Sequence, residues 1–115
     1  MNATIYHNAR CSNSRGALAL LQAHGVDLQV VDYLATPLSA EQLTQLVAQL
    51  GMPVRSLMRS KETLYQTLEL DSDRWTEAQL IAQIAQHPEL LNRPIVVTSK
   101  GAKLCRPPEL VLELL

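Results

Sequence analysis

Apolar residues recur along this chain with two periods, and the switch between them sets the order of elements. Thr4-Ile5-Tyr6-His7 reads as a short strand. Beyond it, Ala17, Leu18 and Leu21 share one face of a helix running from about Ser12 to His24, which Gly25 would end. Leu28 to Tyr33 is rich in valine and bounded by turn chemistry. It predicts a second strand, parallel to the first, in a right-handed βαβ unit.

The middle of the chain changes to helical spacing. Ser39-Ala40-Glu41-Gln42 has the Ser-x-x-Gln form of a capping box, followed by Leu43, Leu46, Val47 and Leu50 before Gly51 and Pro53. Val54 to Leu70 is less regular and predicts short helices. Thr76-Glu77-Ala78-Gln79 repeats the capping box ahead of Leu80, Ile81, Ile84 and Ala85, and His87-Pro88 should interrupt that helix. Ile95 to Thr98 then reads as a strand, Ser99-Lys100-Gly101 as a turn, and Ala102 to Cys105 as the returning partner of a hairpin. Pro107 and Pro108 open a last helix through Leu115, since proline is tolerated in a first turn. The expected fold class is α/β with a mixed sheet: a βαβ unit, a helical insertion, then a C-terminal β-hairpin and helix. There is no internal repeat or linker, so residues 1–115 are expected to form a single domain.

Composition narrows the function classes. With 115 residues, 47% hydrophobic and 18% charged, the chain can bury a substantial core. A net charge of −1 gives no global attraction to nucleic acid or to an acidic membrane, so an anion site must be built from particular arginines. One tryptophan and three tyrosines cannot make an interleaved stacking surface, and Trp75 and Tyr65 read as packing groups. No apolar run reaches membrane-spanning length, and the first residues lack the basic and apolar stretches of a secretory signal. Two cysteines, Cys11 and Cys105, are too few for a disulfide framework or a structural zinc site. His24 and His87 lack metal-ligand partners at useful spacing. These features predict a cytoplasmic protein without a metal.

Cys11 is the candidate for chemistry. It lies in Tyr6-His7-Asn8-Ala9-Arg10-Cys11-Ser12-Asn13-Ser14-Arg15, between a strand and a helix start. The unsatisfied N–H groups and partial positive charge of a helix N-terminus favour a thiolate there, and Arg10 and Arg15 add charge nearby. The alternative is a buried cysteine acting as a small hydrophobe, which suits polar flanks less well.

His7-Asn8-x-x-Cys11-x-x-Ser14-Arg15, Leu57-Met58-Arg59, Asn92-Arg93-Pro94-Ile95-Val96-Val97-Thr98 and Leu104-Cys105-Arg106-Pro107-Pro108-Glu109 form an ordered set. In this set the chain resembles the glutaredoxin-coupled arsenate reductases, and their short arsenate-reductase-like branch most closely. The resemblance spans nearly the whole chain and implies a thioredoxin-like fold. It also implies catalysis by Cys11, an oxyanion site completed by Arg59, Arg93 and Arg106, and support from His7, Asn8, Ser14 and Pro94. Planar guanidinium forks suit a tetrahedral oxyanion because they donate paired hydrogen bonds and stay charged. Arg55 and Arg74 read instead as surface charge. By resemblance, Arg93-Pro94 is the candidate cis bond. The first loop has Ala9 where the family usually has proline, and Ser12-Asn13 where Gly-Thr is common.

The implied mechanism is attack of the Cys11 thiolate on arsenate with loss of water. Glutathione then attacks the adduct as co-substrate, arsenite is released, and glutaredoxin clears the remaining mixed disulfide. The protein would be a monomer with no bound cofactor and neither nucleic acid nor membrane as partner. Ser12 is expected to cap the helix and Ser14 to donate toward the sulfur. His7 either tunes the thiol or is structural, and Cys105 reads as structural. Two further classes remain: a glutathione-dependent thiol reductase acting on another substrate, and a redox-responsive adaptor that binds RNA polymerase. The adaptors of this fold resemble a Cys-x-x-Cys switch, whereas this chain has Ser14 at the fourth position.

Overall fold

The computed structural model describes residues 1–115. They form two compact units, Met1–Thr36 with Arg93–Leu115, and Pro37–Asn92.

The first unit holds β1 (Asn2–His7), α1 (Ser12–Ala23), β2 (Asp27–Asp32), β3 (Ile95–Thr98) and β4 (Gly101–Leu104), followed by a 3₁₀ segment at Pro108–Leu114. The sheet order is β2-β1-β3-β4. β1 pairs in parallel with β2 and antiparallel with β3, which pairs antiparallel with β4, so the expected mixed sheet forms. β1 is central and buries Ala3 and Ile5 at alternate positions, while α1 buries Ser14, Ala17 and Leu21 at helical spacing. Ala3, Ile5, Ala17 and Leu21 share a core with Val96, Cys105, Val111 and Leu114. Each fully buried leucine or isoleucine contributes about 2 kcal/mol.

Several element ends differ from the sequence reading by one or two residues, and three differences have a local reason. β2 stops at Asp32, one residue before Tyr33, because Asp32 Oδ1 accepts from the N–H groups of Leu34 (3.1 Å) and Ala35 (3.3 Å) and turns the chain. β4 stops at Leu104: Cys105 N–H still donates to Pro94 O at 2.9 Å, but Pro94 has no N–H to return the bond. The last element is a 3₁₀ helix and not an α-helix. Its buried residues Val111 and Leu114 lie three apart, the spacing that a 3₁₀ helix eclipses onto one face, and Thr98 Oγ1 donates to Leu114 O at 2.8 Å.

The second unit holds α2 (Ala40–Leu50), a 3₁₀ turn at Val54–Leu57, α3 (Thr63–Thr67), α4 (Glu77–Gln86) and a 3₁₀ turn at Pro88–Leu90. Both capping boxes form. Ser39 Oγ accepts from Gln42 N–H at 3.1 Å and Thr76 Oγ1 from Gln79 N–H at 3.1 Å, with each glutamine returning a bond to the cap backbone. Gly51 ends α2 at φ 65°, the left-handed conformation that favours glycine. Leu43, Leu46, Leu57, Leu80, Ile84 and Leu90 are buried. Arg55 is not surface charge, because its guanidinium donates to Leu70 O (2.9 Å) and Ser72 O (2.6 Å).

Candidate active site

Cys11 occupies the N-cap position of α1, with extended backbone angles (φ −94°, ψ 123°). Ser12, expected to cap, is exposed and lies inside the helix. The loop leading to Cys11 closes on itself: Cys11 N–H donates to Asn8 O at 3.0 Å, and Arg10 N–H to Asn8 Oδ1 at 3.0 Å. Arg15 Nη1 donates to Ala9 O at 2.8 Å. The loop is therefore held by its own backbone, by the Asn8 side chain and by a guanidinium.

His7 and Ser14 form a second layer. The Ser14 side chain is buried; its Oγ accepts from Asn8 N–H at 3.0 Å and lies 2.6 Å from His7 Nδ1. Burial lowers the pKa of His7, against Asp32, which raises it, and together with Arg15, which lowers it further. A neutral imidazole accepting the Ser14 hydroxyl proton at Nδ1 fits this pattern. The Ser14 hydroxyl is thus engaged with His7 and Asn8. The N–H of Ser14, not its hydroxyl, acts on the sulfur.

The hairpin brings two arginines to this place. β3 and β4 pair Ile95 with Leu104, and the same register carried outward sets Arg93 opposite Arg106 at the open end. Both residues precede cis prolines, Arg93-Pro94 as expected and Arg106-Pro107 in addition. Arg106 Nη1 lies 2.9 Å from Arg93 O and 3.6 Å from Cys11 Sγ, donating to both. Gly16 on α1 helps seat the segment after Arg106, since a Cβ at that position would lie 3.1 Å from Pro108 Cγ.

The electrostatics around the thiol are layered. Burial raises the Cys11 pKa, but the N–H groups of Ser14 and Asn13, the charge of Arg93 and the hydrogen bond from Arg106 outweigh it and hold the thiol below its ordinary value. At Cys105 burial is dominant, with Lys103 opposing and Glu113 adding to it, and the thiol is pushed up to about 12. The arrangement offers a nucleophile beside guanidinium donors.

Arg59 belongs to the second unit. Its N–H donates to Leu90 O at 2.8 Å, and its Nη1 lies 3.1 Å from Glu62 Oε2. Arg74 is exposed, 3.5 Å from Glu69 and 5.6 Å from the centre of the Trp75 ring. Trp75, half-buried, donates its ring N–H to Glu69 O at 2.9 Å.

Tyr33 is a participant the sequence reading missed. Its side chain is buried, and its hydroxyl accepts from Asn8 Nδ2 at 3.5 Å. The signal was available in the parallel pairing of β1 with β2, which matches His7 to Asp32 and therefore Asn8 to Tyr33 one step on.

Residues 6–114 match the sequence model of the ArsC family. The chain belongs to the ArsC family. It is 47% identical over 114 residues to an arsenate reductase of Escherichia coli, covering 99% of this chain and 81% of that protein. It is also 49% identical over 111 residues to the uncharacterized Escherichia coli K12 protein YfgD, covering 96% of this chain and 93% of that one. Among solved structures, an arsenate reductase from Vibrio cholerae superposes with a TM-score of 0.97 at 48% identity, covering 100% of this chain and 98% of the other. The fold of this ArsC-family chain is thioredoxin-like, with the helical second unit inserted between β2 and β3.

Proposed function

We propose that this protein reduces arsenate to arsenite through a thiol adduct on Cys11, with glutathione as co-substrate and glutaredoxin as the recycling partner. The observation that carries the reading is the juxtaposition of a thiol held below its ordinary pKa with the Arg106 guanidinium at 3.6 Å and the charge of Arg93. Relatives named as arsenate reductases support the substrate class.

In this reading the Cys11 thiolate attacks arsenic and an arsenate oxygen leaves as water after taking up two protons. Arg93 and Arg106 bind the remaining oxygens and offset the repulsion between thiolate and oxyanion. Glutathione thiolate then attacks the Cys11 sulfur. The arsenic–sulfur bond breaks, its electron pair stays on arsenic as arsenite leaves, and the two sulfurs are left joined and oxidised by two electrons. Glutaredoxin restores Cys11 by thiol–disulfide exchange. His7, Asn8 and Ser14 shape the loop, and Pro94 leads from Arg93 into β3.

In this reading the protein works as a monomer in the cytoplasm, the compartment in which reduced glutathione is available as co-substrate. No helix is long and apolar enough to cross a membrane. Turnover of arsenate with glutathione and glutaredoxin, measured beside RNA polymerase binding in one preparation, tests the proposal. Arsenite formation that needs both thiol partners is expected. A reactive Cys11 without arsenite formation would favour a thiol reductase with another substrate, and polymerase binding alone would favour an adaptor.

A further inference from the structure

We propose that Tyr33 is a positioning residue for the thiol: its hydroxyl orients the Asn8 side chain, and Asn8 holds the loop that presents Cys11. This rests on Cys11 being the nucleophile, as proposed above.

Asn8 is the hub of that loop. Its N–H donates to Ser14 Oγ at 3.0 Å, its O accepts from Cys11 N–H at 3.0 Å, and its Oδ1 accepts from Arg10 N–H at 3.0 Å. These three bonds join the loop to itself and to the start of α1. The fourth, from Asn8 Nδ2 to the Tyr33 hydroxyl at 3.5 Å, reaches the residue that follows β2. Because Oδ1 meets a backbone N–H, Nδ2 is the end of the amide turned to Tyr33, and the hydroxyl oxygen accepts.

Tyr33 is a firm anchor. It is 1% exposed, and Asp32 before it pairs with His7 in the parallel ladder. After it the chain is pinned by Asp32, whose Oδ1 accepts from the N–H groups of Leu34 and Ala35 and whose O accepts from Thr36 N–H at 2.8 Å. An amide torsion is broad when nothing fixes its outer end, so losing the hydroxyl frees Asn8 Oδ1 to leave Arg10 N–H. Cys11, bonded to Asn8 O, then loses part of its fixed orientation toward the N–H groups of Asn13 and Ser14. The bond to Tyr33 is long, as hydrogen bonds at unliganded sites often are before the reacting partner tightens them. Its effect therefore falls on kcat more than on KM.

Tyr33→Phe keeps the ring and removes the hydroxyl. The pH midpoint for alkylation of Cys11 by iodoacetamide should rise, so that alkylation below that midpoint slows about two- to tenfold. With arsenate, glutathione and glutaredoxin, kcat should fall by a similar factor with KM little changed. In Asn8→Ala and Asn8→Ser backgrounds, which both lack the amide donor, the Tyr33→Phe effect on alkylation should vanish, whereas a general loss of packing would persist there. An unchanged alkylation profile in folded Tyr33→Phe, or the same slowing in the Asn8 variants, would overturn the inference and leave Cys11 as nucleophile. A Cys11 in the unsubstituted protein that titrates like an ordinary thiol would overturn the site and this inference together. A shifted alkylation profile without arsenate turnover would remove arsenate from the reading and uphold the role of Tyr33.

Discussion

Cys11 and Cys105 belong to one unit and are nearly removed from solvent, at 8% and 0% exposure, yet their thiols shift in opposite directions. Burial disfavours the thiolate at both. The difference is in the donors. Cys11 faces the N–H groups that open α1 and the charge of two arginines, whereas Cys105 is packed in the apolar core and its Sγ donates to Lys103 O at 3.6 Å. Arg106 is bonded covalently to Cys105 along the chain, but its side chain reaches Cys11. Reactivity of a cysteine is thus set by which donors the fold turns toward it, not by its depth or its neighbours in sequence.

The strongest way to break this contrast is to remove each sulfur in turn. Cys11→Ser should lower arsenate turnover by about a thousandfold or more. Cys105→Ala should keep most activity and cost about 1 kcal/mol in a denaturant titration, from the space left in the core. Mass spectrometry during turnover should find glutathione on Cys11. A Cys11–Cys105 disulfide accumulating in turnover, with activity lost in Cys105→Ala, would replace this scheme with an internal-disulfide one.

Next in size are the donors. Arg93→Lys keeps the charge and loses the planar fork, and should lower kcat/KM about a hundredfold. Arg106→Ala should raise the pH at which Cys11 becomes alkylated, because it removes a donor to the thiolate. Equal reactivity of Cys11 in Arg106→Ala and in the unsubstituted protein would show that the helix N–H groups suffice.

The two thiols should also tilt stability against pH in opposite senses. Cys105 keeps its proton in the folded state to about 12. The unfolded chain releases it at about 8.5. Between these values the folded state binds more protons, so stability falls as pH rises, and Cys105→Ala should flatten that limb. Cys11 is the reverse. Its folded pKa is lowered, so its contribution is fully present above the unfolded value and is lost as pH falls through the folded one. Denaturant midpoints followed from below neutral pH into the alkaline range check both signs.

The smallest effect separates Ser12 from the true caps. Ser12→Ala should change stability by less than about 0.5 kcal/mol. Thr76→Ala, which removes a formed capping box, should cost about 1 kcal/mol.

The sequence made some of these features legible and hid others. Ser39 and Thr76 announce their helices because a capping box is local, with both partners within four residues. β1, α1 and the hairpin were readable for the same reason. The short 3₁₀ segment at the C-terminus was not, since two prolines and a few leucines fit an α-helix equally well until Val111 and Leu114 are seen packed into the core. At the site, the motif spacing pointed to Cys11, Arg93 and Arg106. The cap position of Cys11 itself, the turn of Ser14 toward His7 and the hydroxyl of Tyr33 depend on three-dimensional register, which no local pattern encodes.

The sheet-bearing unit is discontinuous in the chain, and residues 37 to 92 intervene between its two parts. Forming the β1–β3 ladder therefore requires closure of a long loop, which is slow for entropic reasons, whereas the inserted helical unit is built from nearer contacts. The amides of α2 and α4 should gain protection in pulse-labelled hydrogen exchange before those of β1 and β3. Arg93 and Arg106 reach Cys11 only when that ladder and its hairpin are complete. Newly made chains would then pass through a state with folded helices and an ordinary, unassisted thiol, and the nucleophile would acquire its character in the final step of folding.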